Sequence, residues 1–119
     1  MKAKNKLLLL AMYVAVLIGF ASIDSLAATI TSAASGNWNA GATWVGGVVP
    51  SNTDDVIIAS GHTVVVNLDL TQANGNRSVQ SLNVDGILRP DAGVRNIEID
   101  NDLTVDNGGQ INYNYLTTG

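Results

Sequence analysis

The chain has 119 residues, with six Lys and Arg against ten Asp and Glu, 46% apolar residues and no cysteine. The absence of cysteine excludes disulfides, thiolate metal sites, thiol nucleophiles and a lipid-modified N-terminal cysteine. Its lysines, Lys2, Lys4 and Lys6, all stand at the N-terminus; beyond residue 27, three arginines face nine carboxylates, and this acidic balance lacks the basic patch that nucleic acid requires.

Those three lysines precede an apolar run from Leu7 to Ile23, and Ser25-Leu26-Ala27 places small residues around a cleavage point. The pattern predicts a helical signal peptide over 1–27, cut after Ala27, and hence a secreted or cell-surface chain that meets the membrane only through this segment before cleavage. An uncleaved anchor is the alternative. A run of about 17 residues at ~1.5 Å each reaches roughly 26 Å, short of the bilayer core, and Gly19, Ser22 and Asp24 thin it further. The remaining 92 residues suit one small domain. They stop at Leu116-Thr117-Thr118-Gly119 with no terminal helix or charged tail, so the expectation is a module truncated at its C-terminus, with a continuation of the same chain missing.

Residues 28–41 are rich in Ser, Ala, Asn and Gly around Trp38 and read as a lead-in or cap. Trp38 and Trp44 have two readings: exposed rings that stack on sugar, or an apolar lid over the end of the core. Gly46-Gly47 and Pro50 then end the segment that carries Trp44. Val56-Ile57-Ile58 and Val64-Val65-Val66 are the most strand-like runs, and their near-continuous apolar character suggests packing on more than one face. Thr71 to Ser78 is a loop by composition. Further on, Asn96-Ile97-Glu98-Ile99-Asp100 matches Ser81-Leu82-Asn83-Val84-Asp85 position for position, 15 residues apart. A repeated apolar-polar-apolar-Asp unit at that offset predicts stacked coils, with Leu82 beside Ile97 in adjacent layers. A 15-residue coil at about 3.3 Å per residue has a perimeter of roughly 50 Å, enough for three sides. Residues 42–119 are therefore expected to be all-β, the N-terminal portion of a right-handed parallel β-helix or solenoid, with a β-sandwich as the alternative.

Thr43-Trp44, Val49-Pro50, Asp55-Val56-Ile57-Ile58, Gly61-His62-Thr63-Val64 and Leu82-Asn83-Val84-Asp85-Gly86-Ile87-Leu88 together resemble the eight-glycine, or G-eight, extracellular domain. They are also similar to the N-terminal modules of large secreted surface proteins of Bacteroidetes-type bacteria. The resemblance covers about Trp38 to Pro90. It implies an extracellular all-β module leading into a right-handed β-helix, with roles in polysaccharide binding or processing, and it carries over structural positions only. Taken with the residue pattern, the structural positions are Trp44, Pro50, Asp55, Gly61, Leu82, Val84, Gly86, Ile97 and Ile99.

Candidate chemistry is sparse. Asp54 and Asp55 are adjacent, so along an extended chain they point to opposite faces and make a poor acid/base pair. Asp100, Asp102 and Asp106 form an acidic run with the character of a weak calcium site, but the run lacks the glycine and terminal Glu of an EF-hand; otherwise no cofactor is implied. His62, the single histidine, is read as structural or exposed. Tyr113 and Tyr115 alternate with Asn112 and Asn114 and are, with Trp38 and Trp44, the ligand-binding candidates. No catalytic residue is identified. The sequence thus points to an exported, non-enzymatic surface module for adhesion or carbohydrate binding, partnered by an extracellular glycan or surface polymer. The alternative is the leading segment of a secreted polysaccharide-degrading enzyme whose catalytic groups lie beyond Gly119.

Overall fold

The computed structural model describes residues 26–113, other than 76 and 94. Positions 1–25 of the expected signal peptide, and Tyr115, lie outside the described residues. Leu26 and Ala27, its last two positions, are exposed.

The described chain is all-β, built on two four-stranded parallel sheets that take alternate strands. In chain order the strands are β1 (Thr29–Thr31), β2 (Gly36–Asn37), β3 (Asp55–Ile58), β4 (Thr63–Val66), β5 (Ser81–Val84), β6 (Ile87–Pro90), β7 (Leu103–Val105) and β8 (Gln110–Ile111). One sheet runs β1-β3-β5-β7 and the other β2-β4-β6-β8. Each strand pairs with the next but one, and all six pairings are parallel, unlike the antiparallel ladders of a β-sandwich. Short corners pass the chain from the first sheet to the second. A longer third side returns it, marked by the parallel bridges Leu70 to Ile97 and Val79 to Ile99.

Within β3, β4 and β5 exposure alternates strictly, so each strand sends two apolar side chains inward. The apparently continuous runs Val56-Ile57-Ile58 and Val64-Val65-Val66 are therefore single-faced: Val56, Ile58, Val64 and Val66 are buried, whereas Ile57 and Val65 are half-buried on the outside. Ile30, Val56, Leu82 and Leu103 follow one another along the first sheet, and Val64, Leu88 and Ile111 along the second. Full burial of such a side chain contributes about 1.5–3 kcal/mol, so these inward stacks supply the main stabilising term in a chain without cross-links.

The register corrects the expected 15-residue repeat. Leu82 sits beside Val56 and Leu103, 26 and 21 residues away, and Ile97 sits beside Leu70 on the third side. The two matching segments are the first and third sides of one circuit, with β6 between them, rather than the same side of two circuits. They look alike because every side buries alternate residues.

Corner chemistry is set by close approach as much as by backbone freedom. Gly61 has φ of 82°, but Gly86 does not use the left-handed region. A Cβ on Gly86 would instead run into the carbonyl oxygens of Ala59 and His62 from the preceding circuit. The amides of Asp85 and Gly86 both donate to the Ile58 carbonyl, and that of Ile87 to His62, so consecutive corners are bonded directly on each other. His62 completes this stack through a 2.9 Å hydrogen bond between Nδ1 and Ser32 Oγ, consistent with its structural reading.

Pro50 is buried. Of the acidic pair beside it, however, the residue that organises the turn is Asp54 rather than Asp55. Asp54 is 8% exposed, and its Oδ2 accepts from the Ser51 amide and hydroxyl, both at 2.8 Å. Asp55 takes the outward strand position, paired with Thr29 and Ser81.

Candidate functional site: a cleft on the third side

The return side is built differently on each circuit. On the first, the chain between β2 and β3 folds over the end of the core. Thr43 and Trp44 anchor it: Thr43 Oγ1 donates to the Asn37 carbonyl at 2.8 Å and Trp44 Nε1 to the Trp38 carbonyl at 2.8 Å. The two indoles meet edge to face, with centroids 4.9 Å apart and planes at 71°, a favoured aromatic geometry. Trp38 is fully buried and Trp44 is 2% exposed, so neither ring offers a face on which a sugar can stack. Their lid reading holds; the stacking reading is corrected.

On the second circuit, Leu70 and Val79 occupy the places that Ile97 and Ile99 take on the third. Nine residues of advance match two, so the loop from Thr71 is a seven-residue insertion. It is pinned at both ends. Glu98 accepts from the Gln72 amide at 2.8 Å, and Asp100 accepts from Gln72 Nε2 at 3.2 Å and from the buried Ser78 hydroxyl at 3.2 Å.

Between the lid and this insertion lies a cleft of about 410 Å³. Val49, Pro50, Leu68 and Leu70 give it apolar walls, and Asn39, Ser51 and Arg77 bring polar groups to it. Trp38 also lines the cleft, and its Nε1 is a buried donor without a hydrogen-bond partner among the described residues. A more polar pocket of about 430 Å³ adjoins across Leu68, Gly75 and Arg77, reaching Asn67, Asp69, Asn74 and Arg95. Asn39 and Asn67 stack on consecutive circuits, Asn67 Nδ2 donating to Asn39 Oδ1 at 2.8 Å. Arg95 makes a two-pronged contact with Asp91, at 2.9 and 2.8 Å. That hydrogen bonding holds the Asp91 carboxyl below its ordinary range and raises the guanidinium. Mixed apolar walls and a few convergent polar groups are the usual make-up of a small-ligand site.

Of the predicted ligand residues that the structure describes, only Trp38 lines this cleft. Tyr113 is half-buried against the core, with its hydroxyl enclosed and without a hydrogen-bond partner among the described residues; burial first, and then the Asp91 charge, push the phenol well above its ordinary value. Tyr113 lines neither the cleft nor the adjoining pocket. Asp100, Asp102 and Asp106 do not converge. Asp100 binds the insertion, Asp102 aligns with Ser81 beside the first sheet, and Asp106 lies at the next corner, with its carbonyl accepting from Gly109. No group of three His, Cys, Asp or Glu among the described residues is placed to hold a metal. A smaller trough of about 290 Å³ runs along the first sheet, past Asp55, Asn83 and Asp102.

Arg77, Asn39, Asn67 and Leu68 were not singled out from the sequence. The available clue was the departure of the Thr71 to Ser78 loop from the surrounding strand rhythm. No protein-family model, curated protein or solved structure matches the chain.

Proposed function

We propose that the chain is an exported, non-enzymatic module, the N-terminal part of a right-handed parallel β-helix, that contacts an extracellular glycan through the cleft beside the inserted loop. The observation that carries this reading is the strict alternation of parallel strands between two sheets, interrupted on the return side by one insertion that walls a cleft. Parallel crossover connections are right-handed almost without exception, which supports the hand. Saccharides present vicinal hydroxyls on an apolar ring. Asn39, Asn67, Asn74 and Arg77 provide amides and a guanidinium for the hydroxyls, and Leu68, Val49 and Pro50 provide surface for the ring. An acidic surface with few cations suits neutral rather than polyanionic glycans.

The test is a glycan array probed with the exported chain and with its Arg77→Ala variant. Retention of neutral glycans that falls at least several-fold in the variant is the expected result. A chain that retains no glycan, or binds equally without Arg77, removes glycan contact at this cleft and leaves a scaffold.

A further inference from the structure

The start of the described chain carries a second, independent arrangement. Ala28 is the first residue bonded into the sheets: its carbonyl accepts from the Asp55 amide at 2.9 Å, which fixes the entry into β1. Its own nitrogen lies 3.4 Å from Asp54 Oδ1. Asp54 is nearly buried, and its other oxygen is already taken by Ser51. As an amide, the Ala28 nitrogen offers Oδ1 one long hydrogen bond from a neutral donor. On the other side of Ala28, Leu26 is 87% exposed and Ala27 is exposed, so the bond between Ala27 and Ala28 is open to a peptidase.

We infer that hydrolysis of the Ala27–Ala28 bond creates an α-ammonium that closes onto Asp54, so that removal of the leader itself tightens the first circuit. Water adds across the amide; Ala27 leaves with the new carboxylate, and Ala28 keeps the amine, which takes up a proton. A single neutral N–H becomes a charged group with three donors, beside a carboxylate that is mostly withdrawn from water, and such charge-assisted bonds are about twice as strong as neutral ones. Asp54 thus ties together the Ser51 turn, the chain terminus and the first strand pair. The cleavage half of this inference rests on the proposed export; the lock itself needs only a chain that begins at Ala28.

The composition makes the test clean, because the chain has no lysine beyond Lys6 and a terminus at Ala28 would carry the only primary amine. The full chain is produced in a secreting bacterium, and the exported product is weighed intact. It is then compared, by thermal unfolding, with the same product acetylated at its terminus. The expected results are a mass beginning at Ala28 and a melting temperature that falls on the order of 5 °C on acetylation. In a processed Asp54→Asn chain, acetylation is expected to change nothing, a double-mutant cycle that isolates the pair. Should that variant not fold, the acetylation comparison in the unmutated chain decides alone. A terminus elsewhere overturns the processing site, and equal melting of free and acetylated chains overturns the lock. Export is read separately, from recovery outside the cytoplasm, so a chain that is exported and cut elsewhere defeats this inference without touching the scaffold reading.

Discussion

The two sheets and the side that joins them obey different rules. Along the sheets, six parallel pairings run from circuit to circuit, setting Val56, Leu82 and Leu103 in one inward row and Val64, Leu88 and Ile111 in another. On the joining side each circuit is its own construction: a tryptophan lid, then a pinned insertion, then a turn clamped by Arg95 on Asp91. The difference shows where this chain can vary. Backbone ladders penalise any change in length within a strand, because a slip of one residue turns every side chain to the wrong face. The joining side has only isolated bridges to satisfy and absorbs seven extra residues.

Substitutions that attack the sheets should therefore cost most. Leu82→Ala, in the middle of the first sheet, is expected to destabilise by about 2–5 kcal/mol in chemical denaturation, since Leu82 is 1% exposed between Val56 and Leu103. A loss below roughly 1 kcal/mol would mean that the interior is loosely packed there. Gly86→Ala comes next, at about 1–3 kcal/mol, because the added methyl meets two carbonyls of the circuit below. Gly75→Ala, which faces open space but needs φ of 84°, is its control for pure backbone strain.

Removing residues 72–78 joins Leu70-Thr71 directly to Val79, which reproduces the spacing of Ile97-Glu98-Ile99. Loop closure depends only weakly on length, by about 0.6 kcal/mol per doubling, so this deletion should alter stability by roughly 1 kcal/mol or less while abolishing the cleft. If the deleted chain fails to fold, the insertion is structural and the contrast between the sides disappears. The smallest effect concerns acid. Because Asp91 is held below its ordinary value of 3.8 by Arg95, its contribution is complete above that pH and fades only as the pH falls through the lowered value. The Gly93 amide, which donates to Asp91 Oδ1 at 2.9 Å, reports this directly by NMR, with an expected titration midpoint below 3.8. A midpoint at or above 3.8 would remove the fork from solution.

The same contrast explains what could be read from the sequence. Strands β3 and β4 were legible because a run of Val and Ile is a local property, with Gly61 at the corner between them, but a continuous apolar run did not reveal that only its alternate residues face inward. The lid role of Trp38 and Trp44 was one of two legible readings, since large apolar rings in a small polar segment need cover. Circuit length was not legible. Leu82 and Ile97 carry the same local pattern on different sides, and alternation along a chain does not record which side it faces. Nor was the cleft, because Arg77 and Asn67 acquire their relation only when the lid and the insertion are brought to the same side. For Asp54 and Asp55, the sequence separated their faces but could not say which face held the Ser51 turn.

Both tryptophans of the chain are in the lid, and Trp44 Nε1 is bonded to the Trp38 carbonyl. Tryptophan fluorescence therefore watches one extremity of the fold and is blind to the other, while far-ultraviolet dichroism averages over both. Overlaying the two melting curves would tell whether the circuits come apart together or peel away from one extremity, without introducing any label.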